Sequence, residues 1–176
     1  MANFILSGNV TLDNAALHCA QVMESAGYTF PTHKIRLRLQ PPSKILGRCH
    51  FKEGVADMIS ISQGILNNKM YLERTLYHEM AHAILPWAVH HGKQWQKVVA
   101  HISKITGYNI TRTSSTASLG ENYVMSFKHV YRCKECGKTF GRGRLPRWDR
   151  YIGQKDSTGK PYITHSGCGG ELEKIK

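Results

Sequence analysis

Tyr77-His78-Glu79-Met80-Ala81-His82-Ala83 decides how the rest of this 176-residue chain is read. Leu72, Leu76, Met80 and Ala83 recur at helical spacing through it, Asn67 or Asn68 can cap the segment, and Pro86 stops it. Four residues advance an α-helix by about 400°, so both imidazoles leave one face a turn apart and can converge on a single metal ion. Glu79 stands about 100° round from His78. From there it can reach a water held by the metal without ligating the metal itself, take its proton and return it to a leaving amine. Zinc-assisted hydrolysis of a peptide bond is the chemistry that an H-E-x-x-H helix serves. The bland alternative is a chance pentapeptide on a solvated face. Against it stand Leu76, Met80, Ala83, Ile84 and Leu85, which bury the helix, and a buried helix must satisfy two His and a Glu.

A catalytic zinc takes a third protein ligand and keeps one position open for water. The longer pattern H-E-x-x-H-x-x-G-x-x-H fails, because Leu85 and Ala88 occupy the required Gly and His positions. The next block, His90-His91-Gly92-Lys93-Gln94-Trp95, offers His90 or His91, since a chain turning back after Pro86 can present an imidazole there to the first two. His18, His33, His50, His101 and His129 read as structural or solvent-facing.

Outward from this centre, residues 11–27 read as an amphipathic helix, with Thr11 and Asp13 as candidate caps, Leu12, Ala16, Leu17, Ala20 and Met23 at helical spacing, and Gly27 after its end. His33-Lys-Ile-Arg-Leu-Arg-Leu alternates strictly; Gly47-Arg-Cys-His-Phe and Asp57-Met-Ile-Ser-Ile-Ser follow, with turns at Pro41-Pro42 and Glu53-Gly54. These predict a three-stranded antiparallel sheet. A further helix is expected over 92–106, with Trp95, Val98, Val99 and Ile102 on one face and Gly107 beyond it. Residues 111–128, Ser- and Thr-rich at their start, read as a linker to a Cys-containing, Gly-rich segment at 129–176.

Composition bounds the answer. With 41% hydrophobic residues and no apolar run of bilayer length, the chain reads as a folded non-membrane protein of one domain plus a small appendage. The N-terminus lacks a signal-peptide pattern, so the expected location is cytoplasmic, nucleoid-associated in a bacterium or phage. In that reducing setting five cysteines point to metal ligands and free thiols, with Cys19 and Cys49 expected as buried thiols. Net charge is +12 and the pI is near 9.7, which points to a polyanionic partner, most often nucleic acid. Residues 129–176 hold 11 Lys/Arg against 5 Asp/Glu, a denser positive charge than the rest of the chain carries.

The blocks His78-Glu-Met-Ala-His82, His91-Gly-Lys-Gln-Trp95, Tyr131-Arg-Cys-Lys-Glu-Cys136 and Cys168-Gly-Gly170, in that order, resemble the SprT family, which includes the protease Spartan. The resemblance implies a small zincin-like metallopeptidase domain. It makes His78, His82 and His91 the ligands of a catalytic zinc and Glu79 the general base. It also implies proteolysis of proteins crosslinked to DNA, an activity for which Spartan is known.

Cys133-x2-Cys136 has the spacing of a zinc knuckle, and His165-x2-Cys168 would complete a closed Cys3His structural site; a redox pair at the two knuckle cysteines lacks its usual context. Between the knuckles Arg142, Arg144, Arg147 and Arg150 alternate with Trp148 and Tyr151. Basic side chains can track phosphates while aromatic rings stack on unpaired bases, although a solvated loop with one packed aromatic would look alike.

The expected protein is therefore of α+β class. A zincin-like domain over 1–110 comprises an N-terminal helix, an antiparallel sheet, the H-E-x-x-H helix and a following helix. A linker spans 111–128, and a DNA-binding zinc ribbon spans 129–176. One catalytic and one structural Zn2+ are expected. The expected partners are DNA, single-stranded DNA included, and protein substrates bound to it. A non-cleaving nucleic-acid-binding adaptor on the same fold is the rival reading.

Overall fold

Asn9 starts the first helix by accepting the Leu12 N–H on its side-chain oxygen at 3.0 Å, which satisfies one of the orphan donors of the first turn. A computed structural model of the protein describes residues 2–113 and 119–176, with helix α1 running Val10–Ser25. Asp13, expected as a cap, instead accepts from Ser7 N at 2.8 Å, Ser7 Oγ at 2.7 Å and Gly8 N at 3.0 Å, tying down the approach to the helix. Leu12, Ala16, Cys19, Ala20 and Met23 form the buried stripe, and Leu17 lies outside it.

Strands β1 (Phe4–Ile5), β2 (Ile35–Gln40), β3 (Gly47–Lys52) and β4 (Val55–Ser62) make one sheet in the order β1-β2-β4-β3. The expected three-stranded antiparallel sheet is corrected here. Only β3 and β4 pair antiparallel; β2 runs parallel to β4, and the short β1 parallel to β2. The physical reason is the connection through Pro41-Pro42. It carries the chain past the neighbouring position to the far edge, so that β4, returning from the Glu53-Gly54 turn, inserts between β2 and β3. Ile35, Leu37, Ile59 and Ile61 point into the core.

Asn68 caps helix α2 (Lys69–Ala83), accepting the Tyr71 N–H at 3.2 Å. Leu72, Leu76, Met80 and Ala83 are buried, and α2 packs on α1, β3 and β4. Helix α3 (Lys93–Thr106) buries Trp95, Val98, Val99 and Ile102 against α2 and ends where Gly107 turns left-handed and caps Ser103 O. At roughly 1.5–3 kcal/mol per fully buried large side chain, such stripes, rather than intrinsic propensity, hold the helices in place.

The chain divides into two compact units, Met1–Gln40 with Lys44–Ser115, and Pro41–Ser43 with Thr116–Lys176. The second holds helix α4 (Gly120–Met125) and an antiparallel sheet of β5 (His129–Cys133), β6 (Thr139–Arg142) and β7 (Leu172–Lys174), in the order β6-β5-β7. Of the stretch expected as a linker, residues 114–118 lie outside the described residues, but its later part is helical. Tyr123 and Phe127 account for the difference. Both are buried, Tyr123 OH donates to Ser43 O, and a side chain at Gly141 of β6 would collide with the Phe127 ring. Among the described residues no helix is long and apolar enough to cross a membrane.

Candidate metal centres

Helix α2 places His78 and His82 one turn apart on one face. Beyond Pro86 a single 3-10 turn at Trp87–Val89 and a left-handed residue, His90 at φ 44°, reverse the chain and present His91 just ahead of α3. His91 Nε2 then lies 3.0 Å from His78 Nε2 and 3.1 Å from His82 Nε2. His90 takes no part in this cluster, and its ring meets Trp87 edge-on at 5.3 Å. Trp95 backs all three imidazoles, with ring centroids 4.8, 5.4 and 4.6 Å from His78, His82 and His91.

The donor chemistry of this cluster fits zinc. His78 Nδ1 lies 2.9 Å from Thr111 O, and because a carbonyl only accepts, the proton sits on Nδ1 and the Nε2 lone pair faces inward. His91 Nε2 has one hydrogen or one lone pair to direct, yet it has two nitrogen neighbours at contact distance, so it can satisfy one of them. A cation among the three lone pairs satisfies all. The rings are also held in the neutral, ligating form. Burial, then the neighbouring His91, pushes His78 down to about 4. Burial, then His78 and His91, pushes His82 down to about 3. His91 is lowered by burial, then by Arg112 and His90.

Glu79 is buried beside the cluster and outside it. Its Oε2 accepts the Cys49 N–H at 2.7 Å. Burial raises its carboxyl to about 7, against the opposing pull of the Cys49 N–H and Arg48. Strand β3 comes this close because Gly47 has no side chain: a Cβ there would stand 2.5 Å from Thr75 Cγ2 and 2.9 Å from Glu79 Cγ and Oε1. The result is a cleft of about 320 Å³, walled by β3 residues Gly47, Arg48 and Cys49 on one side and by Trp87, His90 and His91 on the other. Cys49, expected as a buried thiol, is half-buried in this wall, and burial followed by Glu79 holds its thiol above the usual range. Cys19 is fully buried. Sequence reasoning did not find Gly47, Cys49, Trp87 or Thr111.

The remaining histidines stand elsewhere among the described residues. His33 Nε2 is 2.6 Å from Ala56 O, His50 Nε2 is 2.9 Å from Ser60 Oγ, and His101 Nδ1 is 3.0 Å from Tyr28 OH. Neither His18 nor His129 joins a metal-binding group.

The second unit gathers Cys133, Cys136, His165 and Cys168, whose donor atoms all lie within 4.8 Å of one another. Cys133 Sγ is 3.5 Å from Cys168 Sγ, while His165 Nδ1 is 3.1 Å from Cys168 Sγ and 3.4 Å from Cys136 Sγ. Backbone N–H groups of Cys136 and Glu135 hold the Cys133 thiol below its usual range, whereas Cys168, against the pull of the Gly170 N–H, is held above it by Cys136 and Cys133, so the crowded sulfurs favour one thiolate at Cys133. Each Cys of a knuckle's second position is followed by a left-handed glycine, Gly137 at φ 69° and Gly169 at φ 75°, so the two halves of the site are built alike. Four protein donors leave no open position, which is compatible with a zinc ribbon.

The basic segment is only partly available for contact. Arg144 and Arg147 are exposed, Arg142 lies over the Phe140 ring at 5.2 Å, and Arg150 lies over Tyr151 at 4.9 Å. Trp148 is half-buried against Tyr131, with centroids 4.7 Å apart. Tyr151 is exposed and is paired at 6.2 Å with exposed Tyr162, a residue the sequence did not single out because it lies outside the basic run.

No curated protein and no solved structure matches this chain. A family comparison does: residues 15–114, from α1 through the sheet, the His78–His82 helix and α3 to Thr111, match the SprT-like family. That stretch is more than half of the 176 residues and holds the whole histidine cluster, and the chain belongs to the SprT-like family.

Proposed function

We propose that this chain is a zinc metalloendopeptidase of the SprT type, acting on proteins bound or crosslinked to DNA. The family suggests a zinc-dependent protease-like domain. The observation that carries the finer reading is the convergence of His78, His82 and His91 at 3.0–3.1 Å beside a buried Glu79 that is not itself a ligand candidate. In this reading the domain is a minimal zincin, with His78, His82 and His91 holding the zinc. When bound, zinc supplies Lewis acidity that polarises a carbonyl and acidifies water. Glu79 takes the proton from the attacking water and hands it to the leaving amine. The Cys49 N–H on Oε2 fixes the carboxylate's orientation, leaving Oε1 for proton transfer. Trp95 and Thr111 O orient the rings. The C-terminal Cys3His group holds a structural zinc, and the unit around it contacts DNA through Arg144, Arg147, Arg150 and the Tyr151 and Tyr162 rings, which suits single strands.

The decisive experiment is cleavage of a DNA-bound protein by wild type and Glu79→Gln, with and without single-stranded DNA, at matched zinc content. The expected outcome is DNA-stimulated cleavage that drops at least a hundredfold in the variant while zinc remains near two per chain. Full activity in the variant removes Glu79 as the base. Binding without cleavage by either protein favours an adaptor.

A further inference from the structure

The face of the four-stranded sheet turned away from the core carries positive charge, of which Arg48 also reaches the histidine cleft. From Lys34 to Lys52 the chain holds six basic residues, Lys34, Arg36, Arg38, Lys44, Arg48 and Lys52, and no Asp or Glu. Alternation sends Leu37, Ile59 and Ile61 inward and their neighbours outward. Register then sets two rows across β2, β4 and β3: Arg36, Met58 and His50 in one, Arg38, Ser60 and Arg48 in the next. With strands about 4.8 Å apart, Arg38 and Arg48 rise from backbone positions about 10 Å apart on either side of Ser60, and the rows follow one another at about 7 Å.

Beneath them the floor is polar. Ser60 is buried, donates to Gln40 Oε1 at 3.3 Å, and lies 2.9 Å from His50 Nε2. Arg36 has a partner in Asp57 at 2.6 Å. Arg38 and Arg48 are exposed, and among the described residues neither forms an ion pair. The field is felt locally: after burial, Arg48 and Arg38 help hold His50 below its ordinary range, with Asp57 opposing.

Two unpaired guanidinium groups flanking a polar floor match repeated phosphates better than other anions. The planar fork of arginine bonds phosphate oxygens two at a time, and the regular spacing of the rows suits a linear polyanion. The apolar side chain in these two rows, Met58, is half-buried, so the rows themselves have nothing to insert into a lipid surface. We propose that this face binds the sugar-phosphate backbone of a nucleic acid, gripping it between Arg38 and Arg48 and presenting it at the rim of the histidine cleft, which Arg48 helps to line. The inference rests on charge and register and holds whether or not the cleft cleaves peptides.

Fluorescence anisotropy of the zinc-loaded full chain, in a Glu79→Gln background, tests it with a fluorescein-labelled duplex and with labelled oligo-dT over a potassium chloride series. Replacing both arginines, Arg38→Ser with Arg48→Ser, is expected to weaken binding and flatten the slope of log K against log salt. Two lost phosphate contacts amount to about 1.8 for duplex or about 1.4 for a single strand. The probe that shows the change identifies the form bound. Arg38→Lys with Arg48→Lys keeps the charge and is expected to keep the slope. Unchanged affinity and slope on both probes, in a serine variant whose circular dichroism matches the parent, overturns the proposal. So does competition by polyglutamate as effective as by unlabelled oligonucleotide, which would make the face a site for acidic protein segments. These slopes are read without any cleavage, so a failed peptidase assay leaves them standing.

Discussion

Glu79 is kept where a carboxylate is least comfortable. Its burial raises the carboxyl to about 7, and the two nearest histidines are driven down to about 4 and about 3. These shifts act on metal-free stability with opposite sign. Between the ordinary carboxylate range and about 7 the folded chain holds a proton on Glu79 that the unfolded chain has released, so stability falls as pH rises through that window. For His78 and His82 the unfolded chain holds the extra protons between their depressed values and about 6.5, so stability rises with pH there. Comparing wild type with Glu79→Gln isolates the first trend. In urea unfolding of the zinc-free protein, the variant is expected to gain stability relative to wild type as pH goes from 4.5 to 7, by on the order of 3 kcal/mol. A constant difference across that range would show that Glu79 is not shifted by burial. At this scale the legible residues were those whose side chains carry the chemistry: His78, Glu79 and His82 by spacing, and His91 through its block. The Cys49 N–H and the Thr111 carbonyl were illegible, because every residue has these groups and only the fold selects which ones matter.

Among the elements, α2 bears the most. It supplies two ring nitrogens and the acid, and it packs on β3, whose Gly47 brings the strand against Glu79. Its first turn hangs on the Asn68 side chain. Asn68→Ala is expected to cost about 1 kcal/mol, read as a lower urea midpoint with an unchanged slope. A loss below a few tenths would mean that tertiary packing alone holds that end. Helices α1, α2 and α3 were legible because a 3.6-residue period is local: Leu72, Leu76, Met80 and Ala83 declare a face without reference to any partner. The sheet was legible only as strands. Alternation in Ile35–Gln40 says that one side is buried and does not say which strand is adjacent, so β4 inserting between β2 and β3 could not be read from it. Helix α4 was missed for a related reason, since six residues show fewer than two periods.

At the scale of the molecule, the two units differ in what holds them. The first buries stripes from three helices and a sheet face, whereas among the described residues the second has Tyr123, Phe127, Val130, Tyr131, Cys133 and Leu172 as its buried apolar side chains. A core of that size does not hold about sixty residues without a staple. Stripping zinc with a chelator is therefore expected to abolish amide-exchange protection in β5, β6 and β7 while leaving it in α1, α2 and α3. Protection persisting in those strands would deny the second metal a structural role. The placement of the four ligands also has a consequence in time. Cys168 follows Cys133 by 35 residues, so at 5–20 residues per second the first two thiols wait roughly 2–7 s on a nascent chain before the other half of their site exists. His91 follows His78 after only 13. Each newly made molecule thus passes through an interval in which all three histidines of the first cluster have been added while the second cluster has only two of its four donors.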